Sequence, residues 1–124
     1  MLNFKTIIFG TFFSLLANVT FSETFLYMAE EDGCFWCASW TSKVGSIYHK
    51  TKEGKVAPLR RFNMHREIPE TVEFVSRISF SPTFILVQNN KEVGRIEGYP
   101  GEDHFWGLLG IAFANAQIIL DKTD

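Results

Sequence analysis

Cys34-Phe35-Trp36-Cys37 constrains this chain more than any other feature. These are its only two cysteines, and they sit two residues apart. Leu26-Tyr27-Met28-Ala29 reads as a strand just before them, and an amphipathic stretch follows. Strand, C-x-x-C and helix in that order form the layout of a dithiol redox centre, so thiol chemistry is the leading expectation. A bridge across two intervening residues closes a tiny loop and stabilises little by chain entropy. A redox purpose therefore fits the pair better than a structural one.

The chain has 124 residues, and one domain is the default at that length. Its first 22 residues differ from the rest. They carry one charge, Lys5, then an apolar run from Ile7 to Val19. Thr20 and Ser22 are small residues placed before a cut at Glu23. This is the form of a secretory signal peptide over 1–22, leaving a domain at 23–124. A retained membrane anchor is the rival reading, although the apolar run is short for a span of about 20 residues. The leader holds Lys5 and no acid, so the remainder has eleven cations against fourteen anions, net −3. No basic block appears, which argues against nucleic acid as a partner. Export implies an oxidising compartment.

Thr24 to Met28 reads as a first strand. From Cys37 the apolar positions Trp40, Val44, Ile47 and Tyr48 fit one helix face, with Gly54 ending the helix. Val56 to Met64 reads as a second strand. Pro69-Glu70 resembles a helix start, with Val72, Val75 and Ser76 on its inner side and Ile78 at its end. Thr83-Phe84-Ile85-Leu86-Val87 is the clearest strand, and Glu92 to Glu97 its hairpin partner across a turn at 88–91. Gly98-Tyr99-Pro100-Gly101 is a loop. A last helix follows, with Phe105, Leu108, Leu109, Ala112, Phe113 and Ala116 on one face, and Ile118-Ile119-Leu120 extends it into packing.

This order, with C-x-x-C near the start and Ser81-Pro82-Thr83 before the hairpin, resembles the thioredoxin-like superfamily over residues 23–117. More narrowly, Asp32-Gly33-Cys34, the stretch Ala57-Pro58-Leu59-Arg60-Arg61 and Gly98-Tyr99-Pro100-Gly101-Glu102 look like the periplasmic SoxS-type thioredoxins of bacterial sulfur-oxidation systems. The resemblance implies an α/β thioredoxin-like fold, a central mixed β-sheet flanked by helices. It implies a cis bond before Pro82, which an X-Pro peptide tolerates. Cys34 becomes the attacking thiol and Cys37 the resolving thiol. Ser81 and Pro82 form a substrate platform, with Gly98 and Tyr99 on the third loop lining that groove. The family's buried carboxylate position holds Met28, and Arg61 falls near the position of its lysine partner. The acceptor for the Cys37 proton is thus open among residues such as Glu30, Glu31 and Asp32.

The resemblance further implies an exported thiol–disulfide oxidoreductase with no cofactor beyond the Cys34–Cys37 disulfide. A protein thiol or disulfide, such as a sulfur-oxidation carrier protein, would be its substrate. A membrane thiol transporter would be its electron donor. A monomer is the default, since no dimerisation domain is visible. A disulfide oxidase or isomerase of the same fold is the first rival, and a non-catalytic binding module the second.

Phe35 and Trp36 read as an apolar contact surface beside Cys34, with ordinary packing at a helix start as the alternative. His49, His65 and His104 are scattered and read as surface residues. A zinc site needs four ligands, often from paired motifs, and only one C-x-x-C exists, so no metal is expected. Trp40 and Trp106 read as core or groove wall, and Glu30-Glu31-Asp32 as a solvated turn. Strand alternation puts Arg60 and Arg61 on opposite faces, so only one can point at the thiols.

Overall fold

The computed structural model describes residues 10–15 and 22–120. The leader expected at 1–22 lies mostly outside the described residues. The first strand, β1 at Thr24–Glu30, runs two residues beyond its expected end. It lies in the middle of a four-stranded sheet. On one side it pairs parallel with β2 at Leu59–Asn63, and on the other antiparallel with β3 at Thr83–Gln88. The hairpin partner β4, Lys91–Glu97, closes the order β2-β1-β3-β4. The hairpin turn uses Asn89 and Asn90 at φ 53° and 64°, the left-handed pair that a two-residue turn of matching twist requires and asparagine tolerates.

Both central strands are covered on both faces, which is why they read as continuous apolar runs. Leu26, Met28, Phe84 and Leu86 face one core with Trp40, Phe105 and Phe113. Tyr27, Ala29, Ile85 and Val87 face the other, with Phe62 and Val72.

The first core is roofed by helices. A continuous helical stretch runs from α1, Phe35–Trp40, through a π-helical turn at Thr41–Gly45, to α2, Ser46–Tyr48. Trp40, Val44 and Tyr48 are buried, whereas Ile47, expected beside them, is exposed. A π turn holds more residues than an α turn, so steps of four stay in line and Ile47 rotates away. Nor does the helix persist to Gly54. The Thr51 hydroxyl accepts from Gly54 N–H at 3.0 Å and starts a separate helix, α3 at Lys52–Val56. The second strand consequently begins at Leu59 rather than Val56. Helix α4, Glu102–Asn115, buries Phe105, Leu109, Ala112 and Phe113 while Leu108 faces out. The helix does not extend through Ile118. Gln117 turns left-handed at φ 57°, Ile118 N–H donates to Phe113 O and Gln117 N–H to Ala114 O, a complete Schellman cap. Ile118 and Leu120 fold back against the first core.

The helix expected from Pro69 does not form. Val72 points inward and Phe74 lies half-buried against the same second core, while Val75 faces solvent, a period of two. Glu73 bridges the outer edge of β4, donating to Asn90 O at 2.8 Å and accepting from Glu92 N–H at 3.0 Å. Arg95 then donates to the carbonyls of Ser76 and Arg77 and pairs with Glu92. Those carbonyls and β-branched Thr71, Val72 and Val75 favour an extended strap over a helix.

Two substitutions test these local constraints. A Cβ at Gly54 would run into the Tyr48 carbonyl oxygen, so Gly54→Ala is expected to cost roughly 2–3 kcal/mol in denaturant unfolding. Gln117→Gly removes the left-handed penalty and should add about 1 kcal/mol by the same measurement.

Candidate active site

The site is built where β1 ends and α1 begins. Gly33, at φ 73°, makes the turn that only glycine adopts freely. Cys34 follows as the N-cap of α1, in extended conformation, and its sulfur accepts from the Cys37 N–H at 3.1 Å. The sulfur thus takes the place of a capping oxygen, over the positive end of the helix dipole. Cys34 is half-buried and Cys37 is 4% exposed. The two are disulfide-bonded, with Cα atoms 5.2 Å apart, inside the roughly 4.4–6.8 Å span that such a bond needs.

The loop before β3 reaches the same point. Ser81 Oγ lies 3.1 Å from the Cys34 sulfur and 3.2 Å from that of Cys37. One hydroxyl proton can serve only one of them at a time. The Ser81–Pro82 peptide is cis and Pro82 is buried. Gly98 N–H donates to Pro82 O at 2.7 Å, tying the third loop to the second. Thr83 Oγ1 donates to Phe80 O at 2.6 Å and closes the loop from behind. Around this junction Phe35 and Trp36 stand 72% and 55% exposed, edge to face with ring centres 5.0 Å apart. Phe80, which sequence patterning does not single out, is 56% exposed just ahead of Ser81. Tyr99 instead packs inward on Phe105, with its hydroxyl buried and without a hydrogen-bond partner among the described residues. Burial, with the Glu102 charge adding to it, pushes that phenol up.

On the other side of Cys37 lies a shallow recess lined by Glu30, Glu31, Cys34, Cys37, Thr41 and Arg61 among others. Arg61 forks onto both carboxylate oxygens of Glu30 and also donates to Thr41 Oγ1 at 2.9 Å. The hydrogen bonds to Glu30 hold the guanidinium above its ordinary range, partial burial opposes this, and the Glu30 charge reinforces it. Arg60 goes to the opposite face, over the Phe25 ring at 3.6 Å. The three acids of the expected solvated turn are each paired: Glu30 with Arg61, Glu31 with His65 at 2.7 Å, Asp32 with Arg66 at 3.3 Å. Met28 is fully buried, in register with Arg61. Trp40 is core, and Trp106 stacks on Tyr48 with ring centres 6.2 Å apart. His49 and His104 are exposed. Among the described residues, no group of three or more His, Cys, Asp or Glu could hold a metal ion.

No family model and no curated protein matches the chain. Solved structures do. The reduced form of the periplasmic thioredoxin SoxS from Paracoccus pantotrophus is 40% identical, with 76% of this chain and 99% of that one aligned and a TM-score of 0.73. Fasciola hepatica thioredoxin is 17% identical over 73% of this chain and 81% of that one, with a TM-score of 0.54, a likeness of fold alone. With its paired cysteines at the head of the first helix, this chain belongs to the thioredoxin-like superfamily, similar within it to the SoxS type, and is a thiol–disulfide oxidoreductase.

Proposed function

We propose that the protein is an exported reductase of protein disulfides or mixed disulfides, with Cys34 as attacking thiol and Cys37 as resolving thiol. The unequal setting of the two sulfurs carries this reading. Cys34 is the more open and sits at a helix N-terminus, where thiolates are favoured. Cys37 is buried one turn further in. The Cys34 thiolate attacks one sulfur of a substrate disulfide. That bond breaks, its other sulfur leaves with the electron pair and takes a proton, and a mixed disulfide remains. Cys37 loses its proton, bonds the Cys34 sulfur and expels the second substrate sulfur, which is protonated in turn. Substrate gains two electrons and the protein is left as the Cys34–Cys37 disulfide.

Phe35, Trp36, Ser81, Pro82, Gly98 and Tyr99 would form the substrate platform, Tyr99 supporting it from beneath. The exposed aromatic pair supports an apolar contact beside the attacking sulfur. The 40% identity to a periplasmic thioredoxin supports the same address, with 1–22 as the export leader. The domain at 23–124 would act as a monomer. Its substrate would be a thiol-bearing carrier protein of sulfur oxidation, and a membrane thiol transporter would return it to the dithiol state. Among the described residues no helix is long and apolar enough to cross a membrane.

Titration against dithiothreitol, read by tryptophan fluorescence, tests the direction. A potential near the thioredoxin value of about −270 mV is expected, and one near about −120 mV would make the protein a disulfide donor instead. Cys37→Ser should trap substrate as a mixed disulfide on Cys34, and Cys34→Ser should trap none. Ser81→Ala removes a hydroxyl donor from the Cys34 sulfur. Alkylation of reduced Cys34 at pH 6 should then slow about three- to tenfold, the net size of one ordinary hydrogen bond, since the hydroxyl is shared with Cys37.

A further inference from the structure

Ser81 reaches the Cys37 sulfur from the platform, but through one neutral hydroxyl that also lies against Cys34, so it brings no charge to the resolving thiol. Burial disfavours a thiolate, yet Cys37 must become one to resolve the mixed disulfide. Met28, at the position of the family's buried carboxylate, lies in the same core cluster as Cys37 and carries no titratable group. Charge reaches it from the recess. The Cys37 carbonyl accepts from the Thr41 backbone N–H and also from Thr41 Oγ1 at 2.8 Å. Thr41 Oγ1 in turn accepts from Arg61 at 2.9 Å. Arg61 spends its remaining fork on Glu30, which fixes the guanidinium plane. A threonine hydroxyl bonding back to the carbonyl four residues earlier is common in helices. A cation donating to that hydroxyl from another element is not part of the helix pattern. It polarises the hydroxyl and strengthens the bond that follows. Thr41 also stands where the helix passes from α to π, a change often found at functional sites.

We propose that Arg61, acting through Thr41 and oriented by Glu30, is a positioning residue for the resolving thiol Cys37. The relay draws negative potential off the Cys37 peptide and pins the turn that carries its sulfur. It rests on the reading of Cys37 as the resolving residue. The charged groups lining this recess are Glu30, Glu31 and Arg61, with Glu31 held by His65. Arg61 is the cation among them and the one bonded toward Cys37. The step it serves is the second: the Cys37 S–H proton passes to solvent, the Cys37–Cys34 bond forms, and the substrate sulfur leaves with the electron pair of its broken bond and is protonated. No outside oxidant is needed, because the mixed disulfide supplies the oxidising equivalent.

A nitrobenzoate disulfide with a coloured thiolate separates the two steps, since attack by Cys34 and resolution by Cys37 each release one equivalent. In stopped flow, Arg61→Met and Thr41→Val should leave the first release within about twofold of the parent protein. Each should slow the second about fivefold and move its pH midpoint upward. Thr41→Ser keeps the hydroxyl and should keep the parent rate. The Arg61→Met/Thr41→Val double variant should be no slower than either single, as expected of one shared path. An unchanged second release in both single variants would overturn the proposal. So would equal slowing of both releases, or slowing in Thr41→Ser, because either marks a general disturbance of the dithiol. Glu30→Gln, which leaves Arg61 and Thr41 in place, should give a smaller slowing of the second release if the larger changes prevent folding, and no slowing would count against the relay. Release of a single equivalent by the parent protein would instead refute the resolving role of Cys37 itself.

Discussion

The placement of Trp40 is the packing event on which the rest of the molecule depends. Its ring meets Tyr48, Phe84 and Phe105, with centre distances of 6.3, 4.9 and 5.7 Å. It therefore joins the first helical stretch, the third strand and the last helix at one point. A Cβ on Gly45 would sit 3.1 Å from the same ring, so the π-helical turn is packed against it from above. Aromatic pairs contribute about 0.5–1.5 kcal/mol each beyond their buried area. Exposed ion pairs contribute roughly 0–1 kcal/mol. The comparison decides what fixes the redox helix: the aromatic cluster under its second turn rather than the charges around its first. Cys37 is buried because it lies three residues before this anchor.

The ion pairs have a different part to play. Glu30, Glu31 and Asp32 reach Arg61, His65 and Arg66 in sequence order, so the loop into the cysteines is laced to the end of β2 and the turn after it. Exposure makes these pairs weak contributors to folding, but three together restrict how the loop can hinge. Arg95 is the contrasting case. Its side chain and that of Glu92 are largely buried, and the guanidinium completes its valence on two carbonyls of the strap. Removing one partner there would strand a charge, so that pair maintains the second face of the sheet.

The elements that could be read from sequence are those whose signal is local. The C-x-x-C, the apolar run of β3 and the asparagine turn each specify their own conformation within a few residues. Ser81-Pro82-Thr83 gave the platform loop through a family likeness. What was not legible depends on partners far along the chain. Residues 69–78 carry a passable helix pattern, and the Glu73 bridge to β4 and the grip of Arg95 tip a β-branched segment into the extended form. Ile47 and Leu108 fit their helical faces by count, but a π turn rotates Ile47 outward, and Leu108 lies exposed beside the buried stripe of α4. Arg61 could be assigned to one of two faces by alternation. Its bonds to Glu30 and Thr41 required the parallel register of β1 and β2, which sets Met28 opposite Arg61 and which no periodicity encodes.

The surface around Cys34 is best understood by what it does not contribute to stability. Phe35 and Trp36 leave large apolar areas in water, and Phe80 does the same from the neighbouring loop. None of the three belongs to either core. Burying such a side chain gains about 1.5–3 kcal/mol, so leaving three exposed forgoes a large share of a small domain's margin. That gain becomes available when a partner covers them. On the proposed reading, covering this apolar surface beside the sulfur adds affinity for the disulfide-bearing partner, and the buried sulfur of Cys37 stays out of that partner's reach until the first bond has formed.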